Sequence, residues 1–176
     1  MGAGTLFVWS LEGGPNKLVL QGHTGEVRSV ALTPDGRYAI SISAGVTAAK
    51  ELRVWNLRTA QNICAVGAHP DEILRSVVLT PDGHWAVSAS HNGALRVWDL
   101  ARGLHEHLLS GHTNDVRCLA ITRDGRCVAS ASDDGPLRVW GLEAREQVAA
   151  FTSEARMISC AFAPEDRTVI AGDERD

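Results

Sequence analysis

The chain has 176 residues, a formal net charge of −4 and 44% hydrophobic residues. That length suits one compact unit able to bury around 70% of its unfolded surface, and the acidic balance argues against nucleic acid as a main partner, because phosphate binding needs a concentrated basic face. No apolar run approaches the roughly 18 residues of a membrane span, and no signal-peptide pattern opens the sequence, so a cytoplasmic protein without a membrane partner is expected. Thr5 to Ser10 reads as a strand, Gly13-Gly14-Pro15-Asn16 as a hairpin turn, and Lys17 to Leu20 as the returning strand. Val27 to Leu32 follows, ended by Pro34-Asp35-Gly36, where proline pre-sets φ and glycine closes the turn. Tyr38 to Ser43, Leu52 to Leu57 and Ile63 to Val66 complete a group of four strands. The same order returns twice, and Met157 to Ala163 with Thr168 to Asp173 read as a last pair. No stretch has a convincing helical period, so the chain is predicted to be all-β.

Three markers repeat in step. Trp9, Trp55, Trp98 and Trp140 stand in Phe7-Val8-Trp9-Ser10, Arg53-Val54-Trp55-Asn56, Arg96-Val97-Trp98-Asp99 and Arg138-Val139-Trp140-Gly141. Pro34-Asp35-Gly36, Pro81-Asp82-Gly83, Arg123-Asp124-Gly125 and Pro164-Glu165-Asp166 keep the same period, as do Gly22-His23, Gly67-Ala68-His69 and Gly111-His112. Two loop insertions, one within 44–50 and one residue within 70–74, account for the departures from a period near 42, and loops tolerate insertion cheaply.

A period of this length that joins Gly-His to Trp-Asp resembles the WD-repeat family across essentially the whole chain, which implies a propeller of four-stranded blades. On this reading residues 1–176 form one propeller-forming unit. Residues 1–22 supply strands c and d of a split blade, 23–66, 67–110 and 111–151 are three full blades, and 152–176 supply strands a and b of a split blade. The terminal pairs are complementary, so two chains head to tail would make an eight-bladed ring. Blades of that ring meet at about 45°, which suits bulky Trp55, Trp98 and Trp140 better than the roughly 90° of a four-bladed closure.

The resemblance also implies a hydrogen-bonded set in each blade. The third full repeat offers His112, Ser132, Asp134 and Trp140. The second offers His69, Ser90, Asn92 and Trp98, and the first His23, Ser43 and Trp55, with its inserted loop in place of the aspartate. Histidine, hydroxyl and carboxylate invite a nucleophilic-triad reading, but recurrence in every blade and the tryptophan favour a structural role, in which a buried indole N–H needs a partner. His105-Glu106-His107 places two histidines on one strand face, with no third metal ligand nearby, so neither a metal nor a cofactor is expected. Cys64, Cys118, Cys127 and Cys160 show no CxxC spacing and read as free thiols of a reducing compartment, with a disulfide pair as the other option.

Arg28, Arg75 and Arg117 occupy one equivalent position near the start of strand a, with Ile158 in the fourth repeat. They form either a recognition ring for an acidic protein or peptide, or ion pairs with Glu26, Asp71, Glu72 and Asp115. Arg53, Arg96 and Arg138 repeat on strand c, where outward solvation is expected. The reading that follows is a protein-interaction scaffold without catalysis, probed against two alternatives. One is a sensor or autoinhibitory segment of a larger protein, since 167–173 is similar to the final repeats of bacterial signalling NTPases with WD-repeat tails. The other is an enzyme with its site on the propeller face.

Overall fold

The computed structural model describes residues 4–11, 17–44, 51–67, 72–102 and 104–174. All regular structure there is β. A two-stranded sheet, β1 (Thr5–Trp9) with β2 (Lys17–Gln21), comes first. Three four-stranded antiparallel sheets follow: β3 (Glu26–Leu32), β4 (Tyr38–Ala44), β5 (Glu51–Asn56) and β6 (Gln61–Gly67); β7 (Leu74–Leu79), β8 (Trp85–Ser90), β9 (Leu95–Asp99) and β10 (Leu104–Leu109); β11 (Val116–Ile121), β12 (Cys127–Ser132), β13 (Leu137–Gly141) and β14 (Glu146–Phe151). The last sheet pairs β15 (Arg156–Phe162) with β16 (Val169–Glu174). Strands within each sheet lie in chain order, so every connection is a local hairpin. The all-β, blade-forming architecture expected from the period is the one observed.

The hairpin between the first two strands of each blade is built by one local device. Thr33, Thr80 and Thr122 each donate a hydroxyl to the aspartate two residues on, at 2.6, 2.5 and 2.7 Å. The same carboxylates accept the backbone N–H of Arg37, His84 and Arg126. Gly36, Gly83 and Gly125 close the turn at φ of 65, 73 and 71°, a region that costs glycine nothing. In the fourth repeat Asp166 takes that position at φ 57°, and its carboxylate accepts N–H groups from Arg123 and Asp124 of the preceding blade.

The core lies between sheets rather than in one central mass. Ile40, Ile42 and Leu52 of the first blade pack on Leu74, Val77 and Leu79 of the second. Val87, Leu95 and Val97 pack in turn on Val116 and Leu119 of the third, and Ala129, Ala131, Leu137 and Val139 meet Met157, Cys160, Phe162 and Val169 of the last pair. At the other end Leu20 seals Ala39 and Trp55. This face-to-face stacking is why the second strand of each full blade is buried on both sides and loses the simple alternation of a half-exposed strand.

Candidate functional site

In the third blade five groups form a chain of hydrogen bonds. Thr113 N–H and His112 Nδ1 meet the Asp134 carboxylate at 3.0 and 2.9 Å. His112 Nε2 lies 2.7 Å from Ser130 Oγ, and Trp140 Nε1–H donates to the same oxygen at 2.8 Å. The hydroxyl at the junction is therefore Ser130, where sequence reasoning chose Ser132. The first blade repeats the correction. Ser41, not Ser43, receives Trp55 Nε1–H at 2.7 Å and lies 2.5 Å from His23 Nε2. In the second blade Ser88, not Ser90, receives Trp98 Nε1–H at 2.8 Å, while Ser90 Oγ donates to Asn92. His69 lies outside the described residues.

Strand geometry explains the choice. Trp140 is paired across the strands with Val128, and Trp98 with Ala86. The serine two residues further lies about 7 Å along the strand on the same face, within reach of an indole; a serine four residues along is about 13 Å away. Ser132 serves a different purpose: its oxygen accepts Asp134 N–H and its hydroxyl donates to Asn114 O, holding the turn that presents the carboxylate. Where the first blade lacks the aspartate, another acid stands near the imidazole, though no hydrogen bond to His23 Nδ1 is formed among the described residues. Glu51 at the start of β5 sits 3.4 Å from His23 Nδ1, a placement that sequence reasoning missed because it sought the acid in the loop.

Asp134, His112 and Ser130 have the order of a nucleophilic triad, yet Ser130 is fully buried and its oxygen is occupied by the indole. The set links the turn before β11 to β12 and β13 by hydrogen bonds. Asp134→Ala is expected to cost about 1–3 kcal/mol in a denaturant melt, because it strips a buried imidazole of its partner; an unchanged midpoint would contradict the network. Acid should act on the same groups. Burial, the largest influence, lowers His112 and His23 below the ordinary 6.5, and outweighs the opposing Asp134 and Glu51. The unfolded chain then takes up protons first, so stability present above pH 6.5 is lost as pH falls toward the folded-state values. Melts between about pH 8 and pH 5 should show the midpoint declining below that point.

The strands β3, β7, β11 and β15 each carry a β-bulge, and the extra residue falls at the same position in every repeat. Register skips one residue between Val27 and Ser29, Leu74 and Ser76, Val116 and Cys118, and Met157 and Ser159. The skipped residues are Arg28, Arg75, Arg117 and Ile158. A bulge re-aims its side chain away from the regular pleat, a feature that no single-sequence period reveals. Arg75 forms a two-pronged pair with Asp115 of the next blade (3.1 and 2.7 Å), and Arg117 one with Asp133 (3.0 and 2.7 Å) while standing 3.7 Å from Asp115. Arg28 instead pairs with Glu26 of its own strand at 2.8 Å, both well exposed. Ion pairing, one of the two fates open to these arginines, is thus present at all three.

The strand-c arginines are not solvated outward as expected. Arg53 grips Glu51 at 2.6 and 3.1 Å and stands 5.8 Å from the Trp55 ring centroid. Arg96 holds Glu72, a carboxylate only 2% exposed, at 2.6 to 2.9 Å. Arg138 donates to Gln147 at 2.5 Å and lies 3.9 Å from Asp134. All three guanidinium groups are thus mostly withdrawn from solvent and engaged by neighbouring side chains, and for Arg96 the partner Glu72 is itself buried, which makes the pairing obligatory. In β10 the register skips Glu106, so a bulge interrupts the alternation that would place His105 and His107 on one face; the side chains of His105 and Glu106 lie outside the described residues. Among the described residues no group of three potential metal ligands occurs, and no helix is long and apolar enough to cross a membrane.

Stacked four-stranded antiparallel sheets, each pinned through a buried Trp–Ser bond, define the blades of a β-propeller protein. The family described as WD domain, G-beta repeat matches residues 14–56, 61–99 and 103–141, and the chain belongs to this WD40 repeat family. Such repeats mediate protein–protein contacts. The chain is 42% identical over 66 residues to nuclear distribution protein PAC1 of Yarrowia lipolytica, covering 37% of this chain and 14% of that protein. It is 27% identical over 120 residues to ribosome assembly protein 4 of Chaetomium thermophilum, covering 67% of this chain and 23% of that protein. The chain thus matches about a quarter or less of the length of either relative.

Proposed function

We propose that this chain is a cytoplasmic protein-interaction scaffold without chemistry of its own, and that an acidic segment of a protein or peptide partner docks over the bulged arginines. The observation that carries this reading is the difference among the three. Asp115 and Asp133 already satisfy Arg75 and Arg117, whereas among the described residues Arg28 pairs with Glu26, itself largely in solvent. An exposed pair of that kind contributes little, so a partner carboxylate displaces Glu26 at small cost and can take Arg28 in two-pronged geometry. Arg117, 40% exposed at its side chain, offers a second contact toward the same end of the blades. Alanine at all three positions is a poor test, because it would strand the buried Asp115. Arg28→Ala combined with Arg117→Lys keeps that charge balance. Titration of acidic against basic peptides onto the protein should show binding of the acidic ones only, reduced at least tenfold in the variant; equal affinity in the variant contradicts the reading.

Exposed apolar residues on β1, β3 and β16 support a second element of the proposal, a homodimer closed as an eight-bladed ring. Among the described residues β1 and β16 each have a strand neighbour on one side only. Phe7 and Trp9 of β1 and Ile170 of β16 are exposed, as are Val30 and Leu32 on β3. The blades supply a template for joining them: β4 pairs with β5 through Ala39↔Trp55 and Ile40↔Val54, so β16 of one copy meets β1 of another through Val169↔Trp9 and Ile170↔Val8. Exposed apolar faces favour such closure. Light scattering should give a mass near twice 18.8 kDa, and a stable, well-folded monomer rules the ring out.

A further inference from the structure

One contact recurs wherever neighbouring first strands meet. Ser29 of the first blade accepts the backbone N–H of Val77 in the second at 3.3 Å. Ser76 of the second blade accepts Leu119 N–H in the third at 3.2 Å. At the next junction the bridging position is Cys118, and the residue facing it, where Val77 and Leu119 stood, is Cys160. Both members of the pair have changed together, hydroxyl to thiol and aliphatic side chain to thiol. The contacts are reciprocal. Cys118 Sγ lies 3.7 Å from Cys160 O, and Cys160 Sγ lies 3.8 Å from Cys118 O, so each thiol reaches across the junction to the backbone of the other. Both pack against the cluster that holds buried Ala129 and Ala131. Cys64 stands elsewhere, on β6, while Cys127 opens β12 and packs against the same cluster.

We propose that Cys118 and Cys160 form a reversible redox site, in which hydrogen peroxide converts the two thiols into a disulfide that ties β15 to β11. The Cys118 thiolate attacks the peroxide oxygen, the O–O bond breaks, and a sulfenic acid forms with release of water. The Cys160 sulfur then attacks the Cys118 sulfur, the S–O bond breaks, and its hydroxyl leaves as a second water with the Cys160 proton. Two thiols and one peroxide thus give one disulfide and two waters, and a small-molecule dithiol reverses the change. The order of events follows from the environment. A hydrogen bond from Cys160 stabilises the Cys118 thiolate and holds its pKa below the ordinary thiol value despite partial burial, while Cys160 is pushed up by that partner and by its own burial. Cys118 is therefore the attacking thiol and Cys160 the resolving one. Closure staples the last sheet to the third blade, and so fixes the end of the array through which Ile170 and its neighbours meet a partner.

The test uses the full chain treated with equimolar hydrogen peroxide. We expect a mass loss of about 2 Da, a Cys118–Cys160 cross-linked peptide after non-reducing digestion, and a thermal midpoint that rises and falls back on adding dithiothreitol. A Cys160→Ser variant should instead accumulate a Cys118 sulfenic acid that dimedone traps. Cys118→Ser, which installs the residue found at the two preceding junctions, should fold normally and lose both the cross-link and the shift. The double variant Cys64→Ser/Cys127→Ser should behave as the parent chain. Sulfinic acids without a cross-link, or cross-links to Cys64 or Cys127, overturn the assignment.

Discussion

Replacing Arg96 with alanine should destabilise the protein by about 3–5 kcal/mol, the range for breaking a buried ion pair by removing one partner. Glu72 precedes β7, is almost wholly out of water, and receives both Nε–H and Nη2–H of Arg96. The attraction is mutual: hydrogen bonding to Glu72 raises Arg96 above its ordinary value against the opposing effect of burial. Without the guanidinium the carboxylate must stay charged in a low-dielectric setting, take up a proton, or pull its segment into solvent. Each of these costs more than the pair contributed when intact. A double-mutant cycle separates the two quantities. Arg96→Met with Glu72→Gln should recover a large part of the loss, because neither change leaves a buried charge alone. Urea melts of the three variants measure this, and a single-variant cost below about 1 kcal/mol would mean that Glu72 reaches water.

That ion pair also shows where the sequence stops being informative. Strand positions were legible to within a residue or two, because the Thr-x-Asp-Gly turns and the Trp period are local and repeat; Tyr38 to Ser43 was expected and Tyr38–Ala44 is observed. The partner of Arg96 is 24 residues away in an inserted connection, and nothing in strand c indicates that its charge points inward. The same limit governs the serines. Each second strand offers two, Ser41 with Ser43, Ser88 with Ser90, and Ser130 with Ser132, all on one face and all buried. Only the cross-strand register decides which one an indole can reach. The bulges at Arg28, Arg75 and Arg117 are similarly absent from composition or period, since the inserted residue is counted in every repeat alike.

The second large effect concerns two tryptophans that the sequence makes equivalent and the structure does not. Trp140→Ala should cost about 3–5 kcal/mol, as expected for emptying a fully occupied aromatic site in a core. Its ring is buried in the cluster with Val87, Leu95 and Leu109, and its N–H fills Ser130 Oγ, so truncation opens a cavity and breaks the hydrogen-bond chain to Asp134 together. Trp9 holds the same repeat position on β1 but is 64% exposed. Truncating it removes little that folding buries, so Trp9→Ala should shift the denaturation midpoint of the isolated chain by less than about 1 kcal/mol. The contrast sharpens the proposed ring closure. If β1 pairs with β16 of a second copy, Trp9 becomes the counterpart of Trp140 in a composite blade, and its loss then appears in association rather than in folding. Trp9→Ala should therefore lower the mass measured by light scattering at a given concentration while leaving the melt of the dilute chain unchanged. A variant that stays as associated as the parent would place Trp9 outside any interface. Equal melting losses at Trp9 and Trp140 would mean that β1 is already packed as deeply within its own chain as β13.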